Sequence, residues 1–337
     1  MAERRSRAMS AGAAIRDASV WRASDFPVAR SWARPFTPAM LAEIDGAIRN
    51  AKRQGLGFER PGKADFPLPL TAPLLAATAK DLDAGAGFAV LSDFPVERYD
   101  YDDNRLAFAG LSAHFGRLTP QSHAGAMAMD VKDIGLPYSP QNRAYKSNRA
   151  LPFHSDGAAI VGLFCLETAA EGGLSVLASA GAVHNALLAE RPDLYDIYLK
   201  GFRHHRRGEH GPDEPRISPE PIPVFAFHDG LLHCIFDRNQ SLWAELEGEC
   251  LTTRQREAIE VFCATVNRPE FQLHMELRKG DMQFVNNFTL LHARTEYRDP
   301  PDRKRHLIRL WLDLPDGRRQ GRTMMDLYVP KDRRRLA

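Results

Sequence analysis

Residues 280–312, GDMQFVNNFTLLHARTEYRDPPDRKRHLIRLWL, hold three apolar stretches separated by polar residues. This order predicts a hairpin, a strand that carries His292, an exposed polar loop, and a second strand beside the first. Side chains along a strand alternate between its two faces, so Arg305 and Arg309 share one face with Leu307 and Trp311. We expect that face to point into the mouth of a barrel.

Arginines on an inward face are costly unless they meet anions. A guanidinium group presents a planar fork of donors that matches a carboxylate. We therefore predict a carboxylate-binding site at Arg305 and Arg309, on the strand next to the one that carries His292. His292 is itself a candidate metal ligand, for the site described next.

A second stretch, LPFHSDGA at residues 151–158, places one residue between His154 and Asp156. Ser-Asp-Gly is ordinary turn chemistry, so a surface turn without a metal is one interpretation. The other is a metal site, because two histidines and one carboxylate form the site of non-haem Fe(II) oxygenases. That site needs a third ligand, and His292 is preferred because of the strands and arginines around it. Seven further histidines are alternatives: His204, His205, His210, His228, His233, His274 and His306.

The rest of the sequence predicts helices mostly before residue 150 and mainly strands after it. Asp229-Gly230, between two apolar runs, is a strong signal for a hairpin turn, and His228 and His233 are expected to be ordinary strand residues beside it. Segment 204–221 is predicted to be a long solvated loop, which can act as a lid. Predicted helices begin at Thr37, lie within 72–83 and 102–116, and begin at Ser179 and at Thr252 or Thr253. Predicted strands lie within 87–95, 159–167, 174–179, 222–237, 271–287 and 306–314, and the fifth of these stretches is expected to turn at Lys279-Gly280.

Length and composition limit the class of protein. The chain has 337 residues, 44% of them hydrophobic and 26% charged, so it is globular with a sizeable core. A balance of 45 basic and 43 acidic residues argues against a nucleic-acid or membrane surface as the main partner. No membrane-spanning run or secretory signal is recognisable, and the four cysteines lie in apolar stretches without metal-binding spacing. We therefore expect a cytoplasmic protein with buried free thiols and solvated basic tails.

Closely spaced strands with hairpin turns, preceded by helices, predict a mainly β fold with flanking helices, built as a sandwich or jelly-roll barrel. We expect an irregular segment at residues 1–30 followed by one domain over residues 31–337. The oligomeric state stays open, with a homo-oligomer as one alternative.

Four motifs together resemble the taurine dioxygenase-like (TauD/TfdA) family of Fe(II)- and 2-oxoglutarate-dependent dioxygenases. They are FHSD at 153–156, GGLS at 172–175, NN----H-RT at 286–295 and RKRHLIRLWLD at 303–313. H-x-D alone is weak, but a histidine 138 residues after His154 and an arginine 13 residues further on make the resemblance specific. It extends over about residues 85–314 and implies a double-stranded β-helix core of the jelly-roll, cupin-like type.

The resemblance also implies the roles of five residues. His154, Asp156 and His292 would bind Fe(II), and Arg305 would bind the distal carboxylate of 2-oxoglutarate. Arg309 would contact the substrate or join Arg305 in binding 2-oxoglutarate. Which of the two arginines binds which ligand therefore stays open.

Further contacts follow from the same resemblance. Ser175 would add a hydroxyl contact to 2-oxoglutarate, and Tyr145 and Asn148 would lie beside the substrate. If Arg305 is taken by 2-oxoglutarate, Arg309 and also Arg149 or Arg238 can meet an anionic group of the substrate.

The implied reaction consumes O2 and 2-oxoglutarate, releases succinate and CO2, and oxidises a C–H bond of a small molecule. Hydroxylation is the default expectation. Desaturation, ring closure and fragmentation are alternatives. Halogenation is disfavoured because Asp156 occupies the carboxylate position. An anionic or amino-acid-like molecule or a natural-product intermediate fits as the substrate. Two other classes stay open: a cupin-like metalloenzyme that does not use 2-oxoglutarate, and an inactive barrel that acts as a binding module.

Overall fold

The computed structural model describes residues 12–59, 61–314 and 321–328. The basic segments at the two ends, predicted to be solvated tails, lie outside these ranges. Within residues 12–30 the regular structure is a 3-10 turn at Ala23–Asp25, and Trp21 is buried with its indole N–H donating to the carbonyl of Ala86 at 2.8 Å. Residues 12–30 of the irregular segment therefore pack against the body of the protein.

The described residues form fifteen strands and eight α-helices. The strands are β1 (Ala33–Pro35), β2 (Phe88–Ser92), β3 (Arg117–Leu118), β4 (Ala128–Val131), β5 (Leu151–His154), β6 (Ile160–Glu167), β7 (Glu171–Gly172), β8 (Ser175–Ser179), β9 (Phe225–His228), β10 (Leu231–Cys234), β11 (Leu273–Met275), β12 (Met282–Asn286), β13 (Leu290–Arg294), β14 (Tyr297–Arg298) and β15 (His306–Asp313). The helices are α1 (Pro38–Arg53), α2 (Ala72–Ala84), α3 (Tyr101–Ser112), α4 (Ala180–Glu190), α5 (Tyr195–Lys200), α6 (Arg238–Trp243), α7 (Thr253–Val266) and α8 (Met324–Tyr328).

Two sheets form the core. The larger has the order β1-β2-β12-β6-β15-β3, with β4 also paired to β15, and the smaller has the order β11-β8-β13-β5. Apart from the parallel pair of β1 and β2, neighbouring strands in both sheets are antiparallel. From β11 to β13 the chain alternates between the sheets, and β15 returns to the larger one. This is the predicted double-stranded β-helix with flanking helices.

The hairpins predicted within residues 271–294 are wrong. β11 pairs with β8, β12 pairs with β2 and β6, and β13 pairs with β5 and β8. The turn at Gly280 is present, with a φ of +87°, but it carries the chain from one sheet to the other. β13 and β15 are likewise not neighbours, because β15 pairs with β6, β3 and β4. His292 and the two arginines therefore come from opposite sheets.

Most local predictions are confirmed. Thr37, Ser179 and Thr252 are the N-caps of α1, α4 and α7, each accepting a hydrogen bond from a backbone N–H of the first turn. Asp229 and Gly230 both have positive φ, 54° and 76°, as the tight turn between β9 and β10 requires. Helix α3 ends at Ser112, four residues before the predicted end at Gly116.

The two faces of β15 belong to different cores. Ile308, Leu310 and Leu312 pack with α1, α2 and α3 against the outer face of the larger sheet. Leu307 and Trp311 lie on the opposite face, between the two sheets. The smaller sheet is covered on its outer face by α4, α5 and α7. Helices thus clamp both sheets and leave the space between them for the site.

We expect Ile308→Val to lower the free energy of unfolding by about 1 kcal/mol, because the side chain is 1% exposed and the lost methyl leaves a small cavity. Ile134→Val is the matched control, since Ile134 is 58% exposed and its substitution should change stability by less than about 0.5 kcal/mol. Urea denaturation followed by circular dichroism measures both values. Equal effects of the two variants would contradict the assignment of Ile308 to the helix-covered core.

The prediction of a solvated loop at 204–221 is wrong for its first residues. His204 is 1% and His205 is 8% exposed. The His205 N–H donates to the carbonyl of Gln240, and the His204 carbonyl accepts from the N–H of Ser218, so the segment folds back on itself and on α6. Of the cysteines predicted to be buried, Cys250 is exposed.

None of the helices in the described ranges is long and apolar enough to cross a membrane.

Candidate active site

Strand register brings His154 and His292 together. His154 is the last residue of β5 and is the direct antiparallel partner of His292 on β13. Their ring centroids are 4.3 Å apart. The Nδ1 atom of His154 forms a hydrogen bond with the carbonyl of Pro152 at 2.9 Å, while its Nε2 lies 3.8 Å from Asp156 Oδ1. Backbone geometry thus orients the Nε2 side of His154 toward the carboxylate.

Asp156 is buried and is fixed by two side chains of β15 and by Asn287, which directly follows β12. Trp311 Nε1 donates to Oδ2 at 3.2 Å, and Arg309 Nη1 donates to the same oxygen at 3.1 Å. The Asp156 N–H donates to Asn287 Oδ1 at 3.3 Å. Asp156 is 8% exposed, so the pair does not lie on the surface, as the turn interpretation required.

The three side chains form a possible metal-binding group. The Nε2 atoms of His154 and His292 each lie 3.8 Å from an Asp156 oxygen, and all three ligand atoms lie within 4.8 Å of one another. In the described part of the chain this is the one such group of histidine, cysteine and carboxylate residues. Two imidazoles and one carboxylate suit Fe(II).

The protonation states also fit a metal. Burial and the neighbouring His154 ring lower the pKa of His292 to about 3, so its imidazole is neutral at neutral pH. Burial alone would raise the pKa of Asp156. Arg309 and the two histidines lower this pKa by more than burial raises it, so the net shift is downward. A neutral imidazole and an ionised carboxylate, as at His292 and Asp156, are the forms that bind metal ions.

The other candidate histidines lie elsewhere. His306 forms a hydrogen bond with Asp130 at 2.7 Å, and the exposed His274 contacts Gln272. His228 and His233 contact each other on β9 and β10, with ring centroids 4.7 Å apart. His204 and His205 are buried, and none of these residues belongs to the metal-binding group in the described ranges.

A pocket of about 620 Å³, partly open to solvent, joins the three side chains to Arg305. Arg305 is 5% exposed, and its Nη2 donates to the carbonyl of Gly173 at 3.3 Å. Its guanidinium carbon lies 5.0 Å from the centre of the Tyr297 ring. Nη1 has no hydrogen-bond partner among the described residues. A buried cation with an unused donor is suited to an anionic ligand.

Ser175 lies in the same pocket, at the start of β8. Its hydroxyl donates to Gln283 Oε1 at 2.8 Å, and Gln283 also lines the pocket. Gln283 was not among the predicted site residues. The alternation of side chains along β12 is compatible with an inward-facing side chain at this position.

Arg309 points to the metal-binding group. Besides Asp156, it contacts Gln121, which accepts from Nε at 2.8 Å and donates its amide to the Arg309 carbonyl at 2.7 Å. The guanidinium packs against the rings of Tyr145 and Trp311 at 5.2 and 5.1 Å. Gln121 is fully buried and was not among the predicted site residues, because nothing local links residue 121 to residue 309.

Tyr145 lines the pocket, but Asn148 does not. The Asn148 amide donates to the carbonyl of Tyr297 at 3.2 Å, which ties its loop to β14. Arg149 lies 4.0 Å from Glu296, and Arg238 pairs with Glu260 at 2.8 Å, both away from the pocket lining. The structure therefore does not bring these three residues to the site.

Arg294 is a pocket residue that the sequence analysis missed. It donates to the carbonyl of Ser147 at 2.7 Å, and burial together with the charge of Arg305 lowers its pKa to about 10. Strand periodicity could have identified it, because Arg294 lies two residues after His292 and thus on the same face of β13.

Comparison with known proteins assigns this architecture to a family. The model of the taurine catabolism dioxygenase TauD, TfdA family matches residues 49–311. An FR-33289 synthase from Streptomyces rubellomurinus is 32% identical over 311 residues, 89% of this chain and 90% of the relative. A taurine hydroxylase-like protein from Stachybotrys chartarum is 28% identical, over 88% of this chain and 79% of the relative.

Solved structures show the same fold at lower identity. An asparagine oxygenase in complex with Fe(II), 2S,3S-3-hydroxyasparagine and succinate has a TM-score of 0.65 and 17% identity, covering 83% of this chain and 93% of that one. The non-haem iron oxygenase OrfP in complex with Fe and α-ketoglutaric acid has a TM-score of 0.58 and 14% identity, with coverages of 83% and 93%.

The family match spans most of the chain and includes both strands that carry the histidines and most of the arginine strand. A relative is 32% identical over nearly the full length of both proteins. The family match and this relative agree with the fold and with the group of side chains between the sheets. This chain belongs to the taurine catabolism dioxygenase TauD, TfdA family.

Proposed function

We propose that His154, Asp156 and His292 hold Fe(II) and that Arg305 holds the distal carboxylate of 2-oxoglutarate. As a member of its family, the chain is a non-haem Fe(II)- and 2-oxoglutarate-dependent dioxygenase. One observation carries the residue assignment: three ligand side chains and a buried arginine with an unused donor line a single pocket.

Bound Fe(II), with 2-oxoglutarate and O2, supplies the oxidation, in which a substrate C–H bond becomes C–OH and 2-oxoglutarate becomes succinate and CO2. The protein's own residues supply position and electrostatics. Trp311 and Arg309 hold the Asp156 carboxylate in one orientation and keep it ionised. Burial keeps His292 neutral.

The walls of the pocket complete the assignment. Leu307 and Val285 are buried apolar residues that exclude water from the site. Ser175 is placed to contact 2-oxoglutarate once its hydroxyl turns from Gln283, which lies in the same lining. Arg309, which contacts Asp156, and Tyr145, whose ring packs against Arg309, are the proposed substrate contacts, whereas the amide of Asn148 is engaged elsewhere.

The substrate is proposed to be a small anionic or amino-acid-like molecule. The family name and one relative's name refer to taurine, an amino sulfonate, and the asparagine oxygenase structure contains a hydroxylated amino acid. A pocket with three buried arginines, Arg294, Arg305 and Arg309, fits ligands that carry acid groups.

The test is a screen for succinate release under Fe(II), 2-oxoglutarate and O2, with amino acids, amino sulfonates and small carboxylates as substrates. We expect at least one class to raise succinate release about tenfold or more above the substrate-free rate. Metal binding without binding of 2-oxoglutarate would indicate a cupin-like metalloenzyme of another type. Absence of both would indicate an inactive barrel that acts as a binding module.

A further inference from the structure

A second cavity, partly open to solvent, meets the main pocket at Asp156. Asp156 is the residue that lines both cavities in the described part of the chain. Three arginines, Arg143, Arg206 and Arg207, line the second cavity. Two of them come from the segment that the sequence analysis singled out as a possible lid.

Arg206 is engaged within its own loop. Its Nη2 pairs with Glu214 at 2.7 Å, and its Nε donates to the carbonyl of Glu209 at 3.0 Å. With a side chain 5% exposed and most of its donors used, Arg206 stabilises the loop and is not available to a ligand.

Arg143 and Arg207 are less completely paired. Arg143 contacts the carboxylate of Glu209, which also accepts a hydrogen bond from the backbone N–H of His123. Arg207 has Asp237 as its ion-pair partner, at 3.9 Å, which is beyond hydrogen-bond distance, and it also forms a side-chain hydrogen bond with Tyr138. Burial and the charges of Arg207 and Arg309 lower the pKa of Arg143 to about 10, so the guanidinium groups are close enough to repel one another.

The charges do not balance without an added anion. Near the second cavity, four guanidinium groups face three carboxylates other than Asp156: Arg143, Arg206, Arg207 and Arg309 against Glu209, Glu214 and Asp237. In the proposed loaded site, Fe(II) with Asp156 has one positive charge, 2-oxoglutarate brings two negative charges, and Arg294 and Arg305 add two positive charges, so this pocket has no excess negative charge that could offset the second cavity. One positive charge stays uncompensated beside Asp156, which is unfavourable in a buried setting.

We propose that Arg143 and Arg207 bind the acid group of the substrate, a carboxylate, sulfonate or phosphonate oxyanion, in the cavity next to Asp156. This inference rests on the proposed function, because it takes Asp156 as an iron ligand. An anion held there keeps the carbon chain attached to it beside the metal-binding group. The acid group of the substrate and the distal carboxylate of 2-oxoglutarate are thus bound by different arginines in different cavities.

The backbone at Arg207 supports a functional role. Its φ is +49°, in the left-handed region that residues with a Cβ rarely adopt, and the next residue, Gly208, also has a positive φ of +81°. Such conformations are unfavourable and occur preferentially at ligand-binding sites. Here the turn places the Arg207 side chain in the cavity.

The test uses the full chain loaded with Mn(II) and 2-oxoglutarate, so that binding is measured without turnover. Methylphosphonate, methanesulfonate and acetate are titrated separately by calorimetry into the wild-type protein and into Arg143→Gln and Arg207→Gln. We expect the wild type to bind at least one anion and each variant to bind it about tenfold or more weakly. Arg207→Lys, which keeps the charge but not the fork of donors, should give an intermediate affinity.

Arg238→Gln is the matched control, because Arg238 pairs with Glu260 away from both cavities. The affinity for 2-oxoglutarate is measured on every variant. A protein that binds 2-oxoglutarate but binds none of the three anions, or whose Arg143 and Arg207 variants bind them as the wild type does, overturns this inference and leaves the proposed function standing. Failure of the wild type to bind 2-oxoglutarate contradicts the proposed function itself.

Discussion

His154→Ala is expected to weaken metal binding by more than about 100-fold and to abolish succinate release. Changes in residues that only support a metal ligand typically reduce affinity about 10- to 100-fold, so removal of a ligand should exceed that range. His154 Nε2 is one of three ligand atoms within 4.8 Å of one another, and the described residues offer no fourth side chain in that group. Titration with Mn(II), followed by calorimetry, measures the loss directly and does not depend on turnover.

His274→Ala is the matched control. His274 is exposed on β11, where it contacts Gln272, and its removal should leave metal affinity within about twofold of the wild type. Thermal unfolding of the metal-free proteins checks that His154→Ala still folds. Equal metal affinity in the two variants, with both folded, would show that the metal-binding group has been assigned wrongly.

The ligand group could be predicted from the sequence because its determinants are local. His154 and Asp156 are two residues apart at the end of a strand, and Arg305 and Arg309 share a face by strand periodicity. The spacing to His292 is long-range, and it became informative only through resemblance to a family. Local periodicity also located β15 and both of its faces.

Strand pairing could not be predicted in the same way. All five residues of β12 are buried, so its side chains do not alternate between a buried and an exposed face. Periodicity therefore cannot show whether β12 pairs with a hairpin neighbour or with strands of another sheet. The chain reverses at Gly280 as expected, yet the segments before and after it join opposite sheets. The position of His292 across from Arg309, instead of beside it, follows from this crossing.

The loop residues were the hardest to assign. The sequence around His204 and His205 is rich in arginine, glycine and proline, which indicates solvent exposure when it is considered alone. Burial arises because residues 202–206 pair with residues 216–222, and His205 contacts Gln240. Arg207 and Arg143 line the same cavity as Asp156 from two loops that are far apart in sequence, which no local pattern shows.

Arg305→Ala is expected to weaken the binding of 2-oxoglutarate by about 30-fold or more while metal binding persists. Loss of one partner of a buried charge pair costs about 2–5 kcal/mol, and each 1.4 kcal/mol corresponds to about a tenfold change in affinity. Arg305 is placed for this role because Gly173, with a φ of +70°, leaves room for it: a Cβ at residue 173 would lie 2.9 Å from Arg305 Nε.

Calorimetric titration of 2-oxoglutarate into the Mn(II)-loaded protein measures this effect, with Arg303→Gln as the matched control. Arg303 is two residues away and half-exposed, and it pairs with Glu167 at 3.1 Å on the surface, so its substitution should change the affinity by less than about threefold. Arg305→Lys should fall between the wild type and Arg305→Ala, because an ammonium keeps the charge but not the planar fork. If Arg305→Ala binds 2-oxoglutarate as tightly as Arg303→Gln does, the distal carboxylate is held by another group. Arg309, whose Nη2 has no hydrogen-bond partner within the described ranges, would then be the next arginine to replace.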